Sequence, residues 1–189
     1  VALRDRDIRI KLTEWLAAEY AYDPTTVICH EFAVPRPSAR IDLAVINGVL
    51  AGFEIKSELD TLSRLPRQIA SFSCVFERAT LVTTARHAVK ARTILPDWWG
   101  IIVVDEKATF RRQKRGRCNT NVSSGHALHL LNREELFALA DMNKCTVSRK
   151  LRKAAAVEAI AHEVKRPAVM QGVREALKGR LSQQILKPL

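Results

Sequence analysis

Long hydrophobic runs are missing from this 189-residue chain. Its apolar stretches end within a handful of residues, as at Ile101 to Val104, whereas a membrane-crossing helix needs about 20. The first residues, Val1 to Asp7, are charged and lack the apolar segment of a signal peptide. A soluble, unexported, cytoplasmic protein is therefore expected. Cysteine is sparse too: Cys29, Cys74, Cys118 and Cys145 form no CxxC pair. That excludes a thiol zinc site and a disulfide scaffold, and predicts reduced, mostly buried thiols. Cys118, His126 and His129 match no standard zinc spacing and lack a fourth ligand. Aromatic residues make up only 6% of the chain and, Phe110 apart, avoid its basic stretches. This argues against a platform that stacks single-stranded bases, and so against an RNA-directed enzyme or chaperone.

Acidic residues are scarce in one half only. The net charge is +11 and the isoelectric point near 10.0. Residues 1–105 carry 13 Lys/Arg against 13 Asp/Glu, and residues 106–189 carry 18 against 7. The excess is therefore confined to the back half. Its densest patch is Arg111, Arg112, Lys114, Arg115 and Arg117, followed by Arg149, Lys150, Arg152 and Lys153. Clustered cations bind polyanions by releasing condensed counterions, so nucleic acid is the expected partner.

The element pattern reads as α/β. Arg4 to Tyr20 has Ile8, Leu12, Trp15 and Leu16 at helical spacing, with Glu19 inside the same stripe. Strands are expected at Thr26–Val34, Arg40–Ile46 and Val49–Ser57, with a Pro35/Pro37 loop after the first. A helix capped by Ser63 runs to about Phe76, followed by strand, helix and strand at 79–84, 86–95 and 100–105. That alternation predicts a mixed sheet with a parallel portion, flanked by helices. After a basic, hairpin-prone stretch, Asn132–Ile185 reads almost wholly helical. The division expected is a core over 1–130 and a basic helical extension over 131–189.

Asn47-Gly48 marks a hairpin between the second and third strands. Asp42 lies on one arm, with Glu54 and Lys56 on one face of the other. Two carboxylates and an amine among apolar neighbours are costly unless they pair or hold a metal. A two-residue turn sets Asp42 against Phe53, on the wrong face from Glu54. One added residue, as a bulge near Ala51-Gly52 or a wider loop, sets it against Glu54.

The string Arg40-Ile-Asp42, eleven residues, then Glu54-Ile-Lys56 resembles the PD-(D/E)XK nuclease superfamily. The stretch from Ser57 to Gln68 resembles an uncharacterised bacterial and phage branch. Gln68-Ile-Ala-Ser-Phe72 is similar to the Gln-x-x-x-Tyr element of RecB-like nucleases. The resemblance covers about residues 27–105 and implies a restriction-endonuclease-like core. It implies a Mg²⁺- or Mn²⁺-dependent deoxyribonuclease, with the ion on Asp42, Glu54 and the Ile55 carbonyl. Glu31 is the next acid for a second ion, with Glu19 behind it. In that scheme Lys56 orients the attacking water, Gln68 positions water or phosphate, and Arg64 touches the DNA backbone with the Arg111–Arg117 cluster. A homodimer is expected from the resemblance, and an immunity protein as partner were the domain a toxin.

A different class of function stands beside it. Glu134–Ala140, a turn at Asp141–Lys144 and Thr146–Ile160 loosely resemble a helix-turn-helix, with Thr146, Ser148, Arg149 and Lys150 facing DNA. On that reading the chain is a DNA-binding protein without catalysis, indifferent to the loss of Glu54.

Overall fold

The computed structural model describes residues 3–35 and 38–185, with side chains up to 182; Pro37 and Val1 lie outside this set. Helix α1 (Asp5–Glu19) opens the chain, and Asp7 caps it by accepting the Arg4 N–H at 3.2 Å. Three strands follow: β1 (Val27–Pro35), β2 (Ser38–Ile46) and β3 (Leu50–Lys56). Then α2 (Leu65–Ser73), β4 (Arg78–Thr83), α3 (Ala85–Ala91) and β5 (Gly100–Val104) alternate. The chain closes the sheet with β6 (Phe110–Lys114) and ends in α4 (Ser124–Leu128), α5 (Arg133–Met142), α6 (Lys153–Glu163) and α7 (Arg166–Ile185).

The six strands lie in sequence order, β1 to β6. β1, β2 and β3 are antiparallel neighbours, β3, β4 and β5 are parallel, and β5 and β6 are antiparallel. This is the mixed α/β architecture expected, with seven helices among the described residues. Two apolar layers hold it. One face of the sheet meets Ile8, Leu12 and Leu16 of α1 through Leu43, Val45, Phe53, Ile55 and Val82. The other carries α2, α3 and the C-terminal helices in one continuous cluster, from Phe72 and Trp99 to Leu136, Ile160 and Leu177. None of the described helices is long and apolar enough to cross a membrane.

Two elements differ from expectation. The basic stretch forms a sixth strand, because an edge strand tolerates the charges that a central one would not. The helical tail is broken between α5 and α6 by a ten-residue link, 143–152. Lys144 stops α5 there by taking the left-handed conformation, φ 55°, that glycine usually supplies, and Cys145 N–H returns to Ala140 O at 2.9 Å. The expected recognition helix therefore starts at Lys153, and Thr146, Ser148, Arg149 and Lys150 lie on the link. A helix-turn-helix needs a turn of about 3–4 residues, so that motif is not formed. Of the four free thiols only Cys145 is buried, and Cys118 is exposed.

Candidate functional site

The hairpin takes the wider of the two turns the sequence allowed. β2 and β3 pair as Ile46↔Leu50 through Leu43↔Phe53, which leaves Asn47, Gly48 and Val49 as the loop. The Asn47 side chain fixes it, its Oδ1 accepting the Val49 N–H at 3.1 Å. This register sets Asp42 against Glu54, with no bulge at Gly52. Gly52 serves another purpose: an added Cβ there would meet Ile41 Cδ1 at 2.5 Å.

Beside Asp42 the sheet is irregular. His30↔Leu43 and Phe32↔Ile41 pair normally, but Glu31 between them has φ 51°. Both strands change phase at this point. Val27 and Cys29 on one side of it, and Phe32 and Val34 on the other, all reach the same apolar layer, as do Ile41, Ala44 and Ile46 of β2. A left-handed glutamate is a strained backbone position of the kind that collects at functional sites.

Around that irregularity charges of both signs converge. Asp42 Oδ2 accepts the Ile55 N–H at 2.7 Å, and Oδ1 accepts from Arg9 at 3.1 Å. Arg9 also holds Asp5 at 2.7 Å and pairs with Glu31, which Arg40 approaches at 3.6 Å. Glu54 and Lys56, 2% and 4% exposed, form a buried ion pair. Gln68 of α2 donates to the same Glu54 oxygen, Oε1, at 2.5 Å. The structure therefore brings Asp42, Glu54, Lys56 and Gln68 together, as the spacing suggested, but turns Glu31 toward arginines.

Burial raises both carboxyls. Asp42 is pushed up to about 6, chiefly by desolvation, against the pull of the Ile55 N–H and Arg9. Glu54 is pushed up to about 7 by desolvation and then by Asp42 opposite, with Lys56 and Gln68 acting the other way. Its second oxygen, Oε2, is buried without a partner. A proton held by Glu54 near neutrality removes much of the cost of burying a bare carboxylate.

The carboxylates around Asp42 are mostly engaged by the chain's own groups, and among their buried oxygens Glu54 Oε2 alone is left without a partner. Both Asp42 oxygens are taken, Glu31 serves Arg9 and Arg40, and no group of three His, Cys, Asp or Glu side chains among the described residues converges on a metal position. Glu19 is equally committed, to Arg112 at 2.8 Å.

The other expected contacts lie apart. Arg64 precedes α2 and is exposed. Arg111, Arg115 and Arg117 are exposed on and just after β6, and Lys114 is half-buried. Arg112 turns to α1, where it lies 5.1 Å over the Trp15 ring. The link 143–152 is pinned by Arg133, which donates to the carbonyls of Arg149 and of Leu151, the latter at 2.8 Å. Arg133 and Arg149 both stack on Phe137, at 4.9 and 5.2 Å. Sequence reasoning missed Arg9 and Arg133. Arg9 left a signal, since at about 100° per residue it lies within about 20° of Leu16 on the buried stripe of α1. Arg133 left none, because its partners are main-chain carbonyls.

A family profile described as Bacteriophage P4 protein cII matches residues 2–187. Protein cII of Enterobacteria phage P4 is 28% identical over 181 residues, covering 94% of this chain and 68% of the phage protein. A solved protein of unknown function from Silicibacter pomeroyi superposes with a TM-score of 0.47 at 14% identity, over 74% of this chain and 94% of the other. The phage matches, which span almost the whole chain, overturn the resemblance to PD-(D/E)XK nucleases. With it go the deoxyribonuclease activity, the hydrolase chemistry and the metal dependence. The D…ExK spacing misled for a physical reason: the network of Arg9, Asp42, Glu54, Lys56 and Gln68 satisfies the same residue types as internal ion pairs and hydrogen bonds.

Proposed function

The chain belongs to the bacteriophage P4 protein cII family, and on that footing we propose that it is a non-catalytic phage regulatory protein that binds DNA in the cytoplasm. The observation that carries this is the state of the basic half. Among the described residues its ion pairs include Arg112–Glu19, Arg149–Asp141, Arg174–Glu77 and Arg180–Glu135. Arg111, Arg115, Arg117, Lys144, Lys150 and Arg152 remain exposed, with no acidic partner among the described residues. Uncompensated cations on a surface are an electrostatic footprint for a polyanion. In this reading the mixed sheet, expected from sequence as a restriction-endonuclease-like core, is a scaffold. The buried charges around Asp42 fix the hairpin, and residues 131–189 act as the basic extension. Contacts go to phosphates from the β6 edge and from the link, in place of a recognition helix. Assembly as a homodimer belongs to the same proposal.

Fluorescence anisotropy with labelled duplex DNA at low salt tests it. Binding is expected in EDTA as in Mg²⁺ or Mn²⁺, without strand cleavage, and Glu54→Gln should bind like the parent protein. Replacing Arg111, Arg115 and Arg117 together by alanine should weaken binding about tenfold or more, at about 0.5–1 kcal/mol per exposed contact. Absence of binding at low salt would reject the proposal. So would metal-dependent cutting that disappears in Glu54→Gln.

A further inference from the structure

The carboxyl ends of parallel strands β3 and β4 open into a cleft outside the two basic clusters. Loop 57–64 leaves β3 on one side, and α3 leaves β4 on the other. Between them is a space of about 340 Å³ lined by Glu58, Asp60, Thr61, Arg86, His87 and Lys90, with Leu62 and Ile94 behind. A second cavity, of about 490 Å³, shares Glu58 and Arg86 with it. Open α/β sheets receive ligands at this end of their strands.

His87 makes the cleft unusual. It is only 8% exposed, and neither ring nitrogen has a hydrogen-bond partner. Leaving a buried donor and acceptor unmet costs about 1–3 kcal/mol each. Arg86 precedes it, and Lys90 lies one helical turn beyond Arg86. Both are exposed and make no ion pair among the described residues. Of the two acids at the cleft, Asp60 is engaged by Ser57, accepting its N–H at 2.8 Å and its Oγ–H at 2.6 Å. Glu58 stands exposed at the rim.

We propose that Arg86, His87 and Lys90 form a seat for a phosphate group in the cleft between loop 57–64 and α3. Arg86, Lys90 and the His87 ring outnumber Glu58, the one acid at the cleft not already engaged, and they supply a fork, a point charge and a ring N–H to one oxyanion. The volume exceeds a bare phosphate, leaving room for attached sugar. The site deepens the DNA-binding reading and rests on it only for the source of the phosphate: a DNA backbone or a free phosphate compound.

Two measurements on the full chain decide it. In the first, imidazole proton signals are followed as inorganic phosphate is added, with chloride at matched ionic strength as reference. His87 is assigned by the signal that vanishes in His87→Gln. The seat predicts a saturable shift of His87 with phosphate alone, weakened about tenfold or more in Arg86→Ala/Lys90→Ala, whose changes lie on the surface and spare the fold. A His87 signal indifferent to phosphate, or a shift that survives the double substitution, would overturn the proposal. The second compares the salt dependence of duplex-DNA affinity in the parent protein and the double variant. A slope lower by about two assigns the phosphate to the DNA backbone. An unchanged slope with phosphate binding intact assigns it to a free phosphate compound. Failure of the parent protein to bind DNA rejects the DNA-binding reading alone, since the phosphate titration stands apart from it.

Discussion

Asp42 and Glu54 show how a residue pattern can be read correctly in space and wrongly in chemistry. Their meeting was legible from strand alternation and turn length. Their use was not, because a local spacing says nothing of an arginine that arrives from a distant helix. Arg9 lies 33 residues before Asp42 and holds three carboxylates at once. The pair carries its own signature in pH. Both folded values, about 6 and about 7, lie above the ordinary 3.8 and 4.5. Over that interval the native state binds more protons than the unfolded chain, so stability falls as pH rises. The two groups favour the fold below pH 4 and lose that advantage progressively up to about pH 7. Thermal melts of the parent protein and Glu54→Gln across this range should show it. The parent loses stability relative to the variant as pH rises through 7, and the difference then levels off. A difference that grows in the opposite sense would mean that Lys56 outweighs burial at Glu54.

At the level of elements, apolar periodicity marked what faces a core, and it failed where polar groups satisfy main chain. α1, the hairpin strands, α2, β4 and β5 lie within a few residues of expectation, because each presents an apolar face. β6 was legible only as a hairpin-prone stretch: Arg111, Arg112 and Gln113 have no apolar alternation, and pairing with Val103 and Ile102 of β5 makes the strand. The link 143–152 was legible in part: the turn at Asp141–Lys144 was expected, but its continuation to Arg152 was not. Beyond the turn it reads as a helix by composition, but the stop at Lys144 and the grip of Arg133 hold it in turns and irregular chain. Two substitutions separate these causes. Lys144→Gly relieves the left-handed strain and should stabilise the protein by about 0.5–1 kcal/mol in urea unfolding. Arg133→Ala should leave global stability within about 1 kcal/mol while hydrogen exchange and tryptic cleavage at Arg149 and Lys150 rise sharply. Unchanged protection of the link would show that Phe137 stacking or the Arg149–Asp141 pair, at 2.6 Å, fixes it alone.

For the whole molecule, charge asymmetry was the most useful feature of the sequence, since it survives any error in placing elements. The fold adds where the two basic clusters lie. Arg111 stands on β6, one edge of the sheet. Lys153, the first residue of α6 just after the link, lines a cleft with Phe32, Ala33 and Pro35 of β1, the opposite edge. Six strands separated by about 4.8 Å span about 24 Å between those edges. At about 3.4 Å per base pair, that distance is about seven base pairs of duplex. Two clusters so far apart cannot both engage a very short duplex. A series of blunt duplexes from about 6 to about 20 base pairs should therefore show a step. The salt dependence of affinity is shallow for the shortest, then steepens by about two or more contacts once both clusters are spanned. Alanine at Lys150 and Arg152 should remove the step without abolishing binding of the short duplexes, which the β6 edge still holds. A slope that rises smoothly with length and ignores these substitutions would mean that net charge, and not the placement of two clusters, governs the association.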